Sequence, residues 1–149
     1  MGEVRLPEVP YRDALKEYLE VLLGKLKVRF VVLFGSVARG NFGVGSDVDV
    51  FIVADGLSAN FDERLKMLFS LNPTTAPIEP VAYTPEEFEV LLEKRHAGAL
   101  YVMDEGIVLY DDGLYGVMKE KFERLKRDLG IVKGKVGWYA EKILAECLK

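Results

Sequence analysis

The chain has 149 residues, of which 50% are hydrophobic and 30% are charged, as in a globular protein with one core. A single cysteine, Cys147, excludes a disulfide framework and a cysteine-built zinc site, and a single histidine excludes a His-rich metal centre. The apolar runs are too short to span a bilayer, and residues 1–10 lack the apolar core of a signal peptide. We therefore expect a cytoplasmic protein without a membrane partner.

The charges are distributed unevenly along the chain. Residues 1–112 carry 11 Lys or Arg and 19 Asp or Glu, whereas residues 113–149 carry 9 and 5. The acidic part argues against binding of an extended nucleic acid, so an anionic ligand would need a local binding device. We expect residues 1–112 to form the main domain. Residues 113–149 would form a helical extension that packs on it or contacts a partner or a second copy.

Hydrophobic periodicity and turn residues divide the chain into alternating helices and strands. The predicted elements, in chain order, are a helix at 11–27, a strand at 28–34, a glycine-rich loop at 35–46, a strand at 47–54, a helix at 61–71, a strand at 78–83, a capped helix at 84–95, a short helix to 104, a strand at 106–110, and helices at 114–129 and 136–147. Pro80 favours either an edge position or an irregular start for the third strand. The order predicts an α/β fold, a small mixed β-sheet flanked by helices, with a C-terminal helical tail.

Two aspartates open the second predicted strand. Residues two apart in a strand point to the same side, so Asp47 and Asp49 project together, and they would repel by roughly 2.5 kcal/mol at an effective dielectric constant of about 20. A bound cation would remove this repulsion, and carboxylate oxygens suit Mg²⁺ or Mn²⁺. The alternative is that one aspartate caps a turn and the other is a surface residue. Against it, Asp49 precedes the apolar run VFIV, where an acid is costly unless paired or metal-bound.

The first predicted strand ends in a Gly-Ser turn. Gly35 lets the backbone approach a ligand closely, and the N–H groups that follow it can form a nest for an anion. Ser36 would add a hydroxyl donor, and Arg39 a positive charge for a phosphate. Alone, this pattern is only a turn. Beside the two aspartates of the neighbouring strand, it predicts a site with phosphates on one side and metal ions on the other. Neither a P-loop nor a dinucleotide-binding fingerprint occurs in the chain.

The segment GSVARGNFGVGSDVDVFIV, at residues 35–53, resembles the signature of the minimal nucleotidyltransferases in the DNA polymerase β superfamily. The shared features are Gly-Ser, a spacer with Ala-Arg-Gly, and Ser-Asp-x-Asp at the head of a strand. The resemblance covers residues from about 11 to 112 and implies a polymerase β-like nucleotidyltransferase core. It also implies a third carboxylate on the next core strand, where Glu79 stands in place of the more usual aspartate. The implied nucleotide-binding residues are Gly35, Ser36, Arg39 and Ser46.

The same resemblance implies two-metal phosphoryl transfer. Asp47, Asp49 and Glu79 would hold two Mg²⁺ ions, with Mn²⁺ as a substitute, while an acceptor hydroxyl takes AMP from ATP and pyrophosphate leaves. The family is commonly paired with a small helical toxin of the HEPN type, against which the nucleotidyltransferase acts as antitoxin. Two alternatives stay open. One is transfer to a small molecule such as an aminoglycoside, and the other is a non-catalytic nucleotide- or partner-binding module of the same fold.

Overall fold

The computed structural model of the chain describes residues 3–38, 40, 47–129, 131–133 and 138–140. Its elements are α1 (Arg12–Lys25), β1 (Lys27–Phe34), α2 (Gly35–Ala38), β2 (Val48–Asp55), α3 (Phe61–Ser70), β3 (Ile78–Tyr83), α4 (Pro85–Glu93), α5 (Ala97–Glu105), β4 (Ile107–Asp111), α6 (Leu114–Leu129), β5 (Ile131–Lys133) and β6 (Trp138–Ala140). Arg39, Ser46 and Cys147, which the sequence analysis singled out, lie outside the described residues. None of the helices in the described part of the chain combines the length and the apolar character that crossing a lipid bilayer requires.

Four strands form a mixed sheet in the order β3-β2-β1-β4. β1 runs antiparallel to β2 and to β4, whereas β2 and β3 are parallel and are joined through the crossover helix α3. β3 lies at an edge of the sheet, the first of the two arrangements that Pro80 favours. The predicted α/β fold with a small mixed sheet flanked by helices is confirmed.

Helices cover both faces of this sheet, which explains why β1 and β2 are apolar along almost their whole length. Alternate strand residues face opposite sides, so the core divides into two clusters. On one face, α1 and α3 pack on Val31, Leu33, Val50 and Ile52. On the other face, α4, α5 and α6 pack on Phe30, Val32, Phe51 and Val53. Helix α6 lies beyond residue 112, and it buries Met118 and Phe122 in this second cluster.

The predicted last helix, at 136–147, is wrong where the structure describes it. Residues Trp138–Ala140 form β6, which pairs antiparallel with β5, so that Lys133 lies opposite Trp138. The segments 131–133 and 138–140 are rich in β-branched and aromatic residues, which favour extended backbone, and Gly134 and Gly137 disfavour a helix. The preceding helix at 114–129 is confirmed as α6. Residues 141–149 of the predicted helix lie outside the described part of the chain.

One charged side chain is buried at the edge of the sheet. Arg64 on α3 is only 2% exposed. Its guanidinium donates to the carbonyl oxygens of Ser58 and Ala82, and it pairs with the Glu87 carboxylate at 2.8 Å. Burial alone would raise the pKa of Glu87, but hydrogen bonds from Arg64 and from the backbone N–H of Thr84 outweigh it and lower that pKa. These bonds tie α3, β3 and the start of α4 together.

Replacing Arg64 should therefore destabilise the fold. We expect Arg64→Met to lower the free energy of unfolding by about 2–3 kcal/mol, because it leaves two carbonyl groups and one carboxylate without their donor. The loss stays below that of a fully buried ion pair because the Glu87 side chain is 35% exposed and can be hydrated. Urea unfolding followed by circular dichroism measures the change. Lys66→Met, at an exposed position of the same helix, is the matched control. Equal midpoints for the two variants would contradict the assigned role.

Candidate active site

The register of three strands brings the predicted site residues to one end of the sheet. Asp49 on β2 lies opposite Glu79 on β3 and opposite Phe34 on β1, which directly precedes Gly35. Asp47 is exposed and lies immediately before β2. Opposite residues of neighbouring strands project on the same side of a sheet. The structure therefore gathers Asp47, Asp49, Glu79 and the turn at Gly35 in one place.

The three carboxylates interact electrostatically. The negative charge of Asp47 raises the pKa of Glu79, and partial desolvation, a hydrogen bond with Asp47 and the charge of Asp49 raise it further. Like charges that lie close together disfavour the ionised form of Glu79, which is why its pKa is raised. This end of the sheet therefore carries a concentration of negative charge on carboxylate oxygens.

The donor set fits a hard divalent cation by its chemistry. All three side chains offer carboxylate oxygens, which Mg²⁺ and Mn²⁺ prefer, and a cation would relieve their mutual repulsion. Within the described residues, however, no group of three or more His, Cys, Asp or Glu side chains is already arranged to hold one metal ion. Glu79 is hydrogen-bonded to Asp47 instead. The assignment of Asp47, Asp49 and Glu79 as ligands of two ions stays a prediction.

The backbone conformation and the closeness of Asp49 both favour glycine at position 35. Its φ angle is +78°, a conformation that side-chain-bearing residues rarely adopt. A Cβ atom at this position would also lie 2.3 Å from Oδ2 of Asp49, because the carboxylate occupies the space beside the glycine Cα. Ser36 follows as the second residue of the single-turn helix α2. Phosphate binding by Gly35, Ser36, Arg39 and Ser46 stays a prediction.

A cavity opens beside the same glycine. It measures about 180 Å³ and is lined by Phe34, Gly35, Gly98, Tyr101 and Glu105. The last three residues belong to α5, to which the sequence analysis assigned no role. The one signal available was that Tyr101 and Glu105 are four residues apart and share a helix face. Nothing in the sequence connects that face to Gly35, since the contact depends on how α5 packs on the sheet.

The charge of the site limits what it can bind. Carboxylates repel the phosphate groups of a nucleotide, so this end of the sheet can take a nucleotide only if cations lie between the two sets of anionic oxygens. The adjacent cavity has an aromatic wall in Phe34 and Tyr101. The arrangement therefore suits a molecule with a charged end, bound through cations, and an uncharged ring.

Comparisons with known proteins point to one family. Residues 15–147 match the family model described as a nucleotidyltransferase domain. Over 101 residues, the chain is 33% identical to a protein of Methanocaldococcus jannaschii that carries the name "Putative protein adenylyltransferase MJ0604"; the match covers 65% of this chain and 95% of that protein.

Two solved structures resemble the chain in fold. One is a toxin–antitoxin structure with AMP-PNP, at 17% identity and a TM-score of 0.51, and the match covers 90% of this chain and 98% of that one. The other is a substituted form of the toxin–antitoxin MntA-HpeT, at 16% identity and a TM-score of 0.50, with the same coverage of 90% and 98%. At these identities they are evidence for the fold, and they confirm the fold that the sequence resemblance implies.

The contact between Gly35 and Asp49 can be tested with a pair of glycine variants. Gly35→Ala and Gly56→Ala both place a Cβ on a backbone with positive φ, and each should lose about 1 kcal/mol of unfolding free energy. Only Gly35→Ala also displaces a carboxylate, since a Cβ on Gly56 meets nothing within 4 Å. We expect a further loss of about 0.5–1 kcal/mol for Gly35→Ala in urea unfolding, because the Asp49 carboxylate has to rotate away from the new Cβ.

A double-mutant cycle identifies the cause. In an Asp49→Ala background the carboxylate is gone, so Gly35→Ala should cost no more than Gly56→Ala. An undiminished penalty in that background would show that Asp49 is not what excludes a side chain at Gly35.

Proposed function

The chain belongs to the family of nucleotidyltransferase domains, and from that membership we propose that it transfers AMP from ATP to an acceptor hydroxyl with release of pyrophosphate. The observation that carries the proposal is the position of Asp49. It lies between Gly35 on one side and Glu79 on the other, at the end of three neighbouring strands. A phosphate-binding turn and a set of acidic metal ligands at one sheet end are what phosphoryl transfer from a nucleotide requires.

In this proposal Asp47, Asp49 and Glu79 hold two Mg²⁺ ions, which Mn²⁺ can replace. The bound cations would neutralise the triphosphate and stabilise the charge that develops during transfer. Gly35 and Ser36 hold the β- and γ-phosphates through backbone N–H groups and the serine hydroxyl, and Arg39 and Ser46 add further contacts. The glycine matters here because a side chain would close the space between the backbone and the phosphates.

Glu79 also handles the proton of the acceptor. The acceptor oxygen attacks the α-phosphorus, a new O–P bond forms, and the bond between the α-phosphorus and the bridging oxygen breaks as pyrophosphate leaves. The hydroxyl proton passes to the Glu79 carboxylate. A carboxylate within reach of the acceptor can take this proton as a general base.

The acceptor in this proposal is a protein hydroxyl. The M. jannaschii relative is named as a protein adenylyltransferase, and the two structural neighbours are toxin–antitoxin structures, one of them with AMP-PNP. Together with the sequence resemblance, these names support ATP as the nucleotide, a helical HEPN-type toxin as the partner, and an antitoxin role for the chain.

In this proposal the nucleoside of ATP binds in the cavity beside Gly35. Tyr101 and Phe34 offer aromatic surfaces on which a base can stack, and the cavity adjoins the turn that would hold the phosphates. We therefore assign this cavity to the adenine ring in the same proposal.

Calorimetric titration of an α,β-methylene analogue of ATP, with and without Mg²⁺, tests the nucleotide site, because that analogue resists cleavage of the bond that breaks. Wild type should bind it only with Mg²⁺. Asp49→Asn and Asp47→Asn should weaken binding by about 10-fold or more and abolish AMP transfer while the fold stays intact. Asp62→Asn, an exposed acid on α3, is the control and should bind as wild type does.

The titration, together with an assay of AMP transfer from α-labelled ATP, distinguishes the proposed function from the two alternatives. Binding that neither Mg²⁺ nor Asp49→Asn affects would overturn the proposed metal site. Mg²⁺-dependent binding without AMP transfer from α-labelled ATP to a HEPN-type protein or to an aminoglycoside would favour the non-catalytic module. Labelling of the aminoglycoside alone would favour the small-molecule enzyme.

The base-binding role of Tyr101 has its own test. Tyr101→Ala should weaken binding of the ATP analogue by about 5- to 150-fold, because stacking of a base on an aromatic ring contributes about 1–3 kcal/mol. Tyr101→Phe keeps the ring and should bind as wild type does. Inorganic tripolyphosphate lacks the base, so its Mg²⁺-dependent affinity should be unchanged in both variants. An equal loss of tripolyphosphate affinity in Tyr101→Ala would refute the stacking role.

A further inference from the structure

A carboxylate stands on the wall of the cavity beside Gly35. The residues described around this cavity include one acid, Glu105, which is the last residue of α5 and is partly exposed. It lies on a different element from Asp47, Asp49 and Glu79, and the proposed transfer reaction gives it no role. Its place in the cavity indicates a contact with the part of a nucleotide that carries no phosphate.

The register of β1 with β4 places Glu105 next to the turn at Gly35. β1 runs antiparallel to β4, and Leu33 lies opposite Ile107. Gly35 is two residues after Leu33 and Glu105 is two residues before Ile107, so both leave the sheet at the same end and at the same level. Tyr101 lies one helical turn further from β4 along α5, which corresponds to about 6 Å along the helix axis.

The cavity and the acidic end of the sheet lie on the same face. Phe51 packs on the helices α4, α5 and α6, and alternate residues of a strand face the same side, so Asp49 projects toward that face too. Phe34, which lies opposite Asp49, packs in the same cluster and lines the cavity. Cations held at Asp49 and a nucleoside in the cavity can therefore belong to one bound molecule.

The covalent order of a nucleotide then brings its ribose to Glu105. In a nucleoside triphosphate the ribose lies between the phosphates and the base. The proposed function places the phosphates at Gly35 and the base on Tyr101, and Glu105 lies one turn nearer to Gly35 along the same helix face. A ribose there offers two neighbouring O–H donors, its 2′- and 3′-hydroxyls.

We propose that Glu105 selects ribonucleotides, by accepting hydrogen bonds from the 2′- and 3′-hydroxyls of the bound nucleoside triphosphate. The assignment rests on the proposed function, and it names the class of triphosphate that the same site takes. Each carboxylate oxygen has two lone pairs, so Glu105 can accept both bonds and keep a partner within the protein. A hydrogen bond to a charged acceptor is stronger than one to a neutral acceptor, so a 2′-deoxyribonucleotide loses a strong bond.

The base is a poorer partner for this carboxylate than the sugar. Adenine offers its N6 amino group beside a ring nitrogen that is itself an acceptor, so a carboxylate gains one hydrogen bond there and is repelled by the neighbouring atom. The ribose offers two donors on adjacent carbons and no such repulsion. The chemistry of the carboxylate therefore favours the sugar.

The same negative charge determines the direction in which a nucleotide enters. No Lys or Arg is among the residues described around the cavity, so a phosphate group inside it would meet the Glu105 carboxylate without a compensating cation from these residues. The uncharged nucleoside has no such cost. Glu105 thus keeps the triphosphate outside the cavity, at the turn.

The experiment compares the α,β-methylene analogue of ATP with its 2′-deoxy counterpart, by calorimetric titration of the full chain in the presence of Mg²⁺. Wild type should bind the ribonucleotide analogue about 10-fold or more tightly, because the deoxy analogue lacks a hydrogen bond to a charged group. Glu105→Ala should bring the ratio of the two affinities close to one. The ratio is the readout, because loss of one negative charge changes the affinity for both analogues alike.

Two further variants and one further ligand make the result specific. Glu105→Gln keeps an acceptor oxygen without the charge, so its ratio should lie between those of wild type and Glu105→Ala. Glu20→Gln removes an exposed charge from α1, on the other face of the sheet, and should keep the wild-type ratio. Inorganic tripolyphosphate has no ribose, so Glu105→Ala should not weaken its Mg²⁺-dependent binding.

Three results would overturn the role of Glu105 and leave the proposed function standing. They are Mg²⁺-dependent binding of both analogues by wild type with equal affinity, a wild-type ratio in Glu105→Ala, and weaker binding of tripolyphosphate by that variant. The last would show that Glu105 acts on the metal ions or the phosphates. Absence of Mg²⁺-dependent binding of either analogue by wild type would overturn the proposed function and the role of Glu105 together.

Discussion

The close approach of the Asp49 carboxylate to the Cα of Gly35 is the constraint on which the site depends. It requires a residue without a side chain at the end of β1, and the φ angle of +78° there turns the chain away from the sheet into α2. The register of β2 with β3 then places Glu79 on the other side of Asp49. One glycine and two strand registers thus determine where the acids and the turn lie.

The sequence predicts most of the fold because most elements satisfy two signals at once. The strands β1 and β2 are dense in β-branched residues and are bounded by turns, and α4 begins with the Thr84–Glu87 capping box that the structure contains. For residues 136–147, the sequence offered only one indication of secondary structure. Apolar spacing from 136 to 147 fits a helix, but short segments such as Trp138–Ala140 fit a strand equally well, and pairing with Ile131–Lys133 decides between them.

The sequence predicts the residues of the candidate site better than it predicts which side chains of α3 and α5 are buried. Asp47, Asp49 and Gly35 were found because their signal is local, within one strand and one turn. The α5 wall at Tyr101 and the burial of Arg64 depend on contacts between distant segments. The spacing of apolar residues shows that α3 is apolar on more than one side. It does not predict that Arg64 is buried while Phe61 and Phe69 are exposed. The charged side chain of Arg64 can be buried because Glu87 and two carbonyl oxygens accept hydrogen bonds from its guanidinium.

The edge strand β3 is protected against pairing with a further strand. An exposed edge invites pairing with another strand through its free N–H and C=O groups. β3 resists this, because Pro80 has no N–H to donate and Glu79 places a charge near the start of the strand.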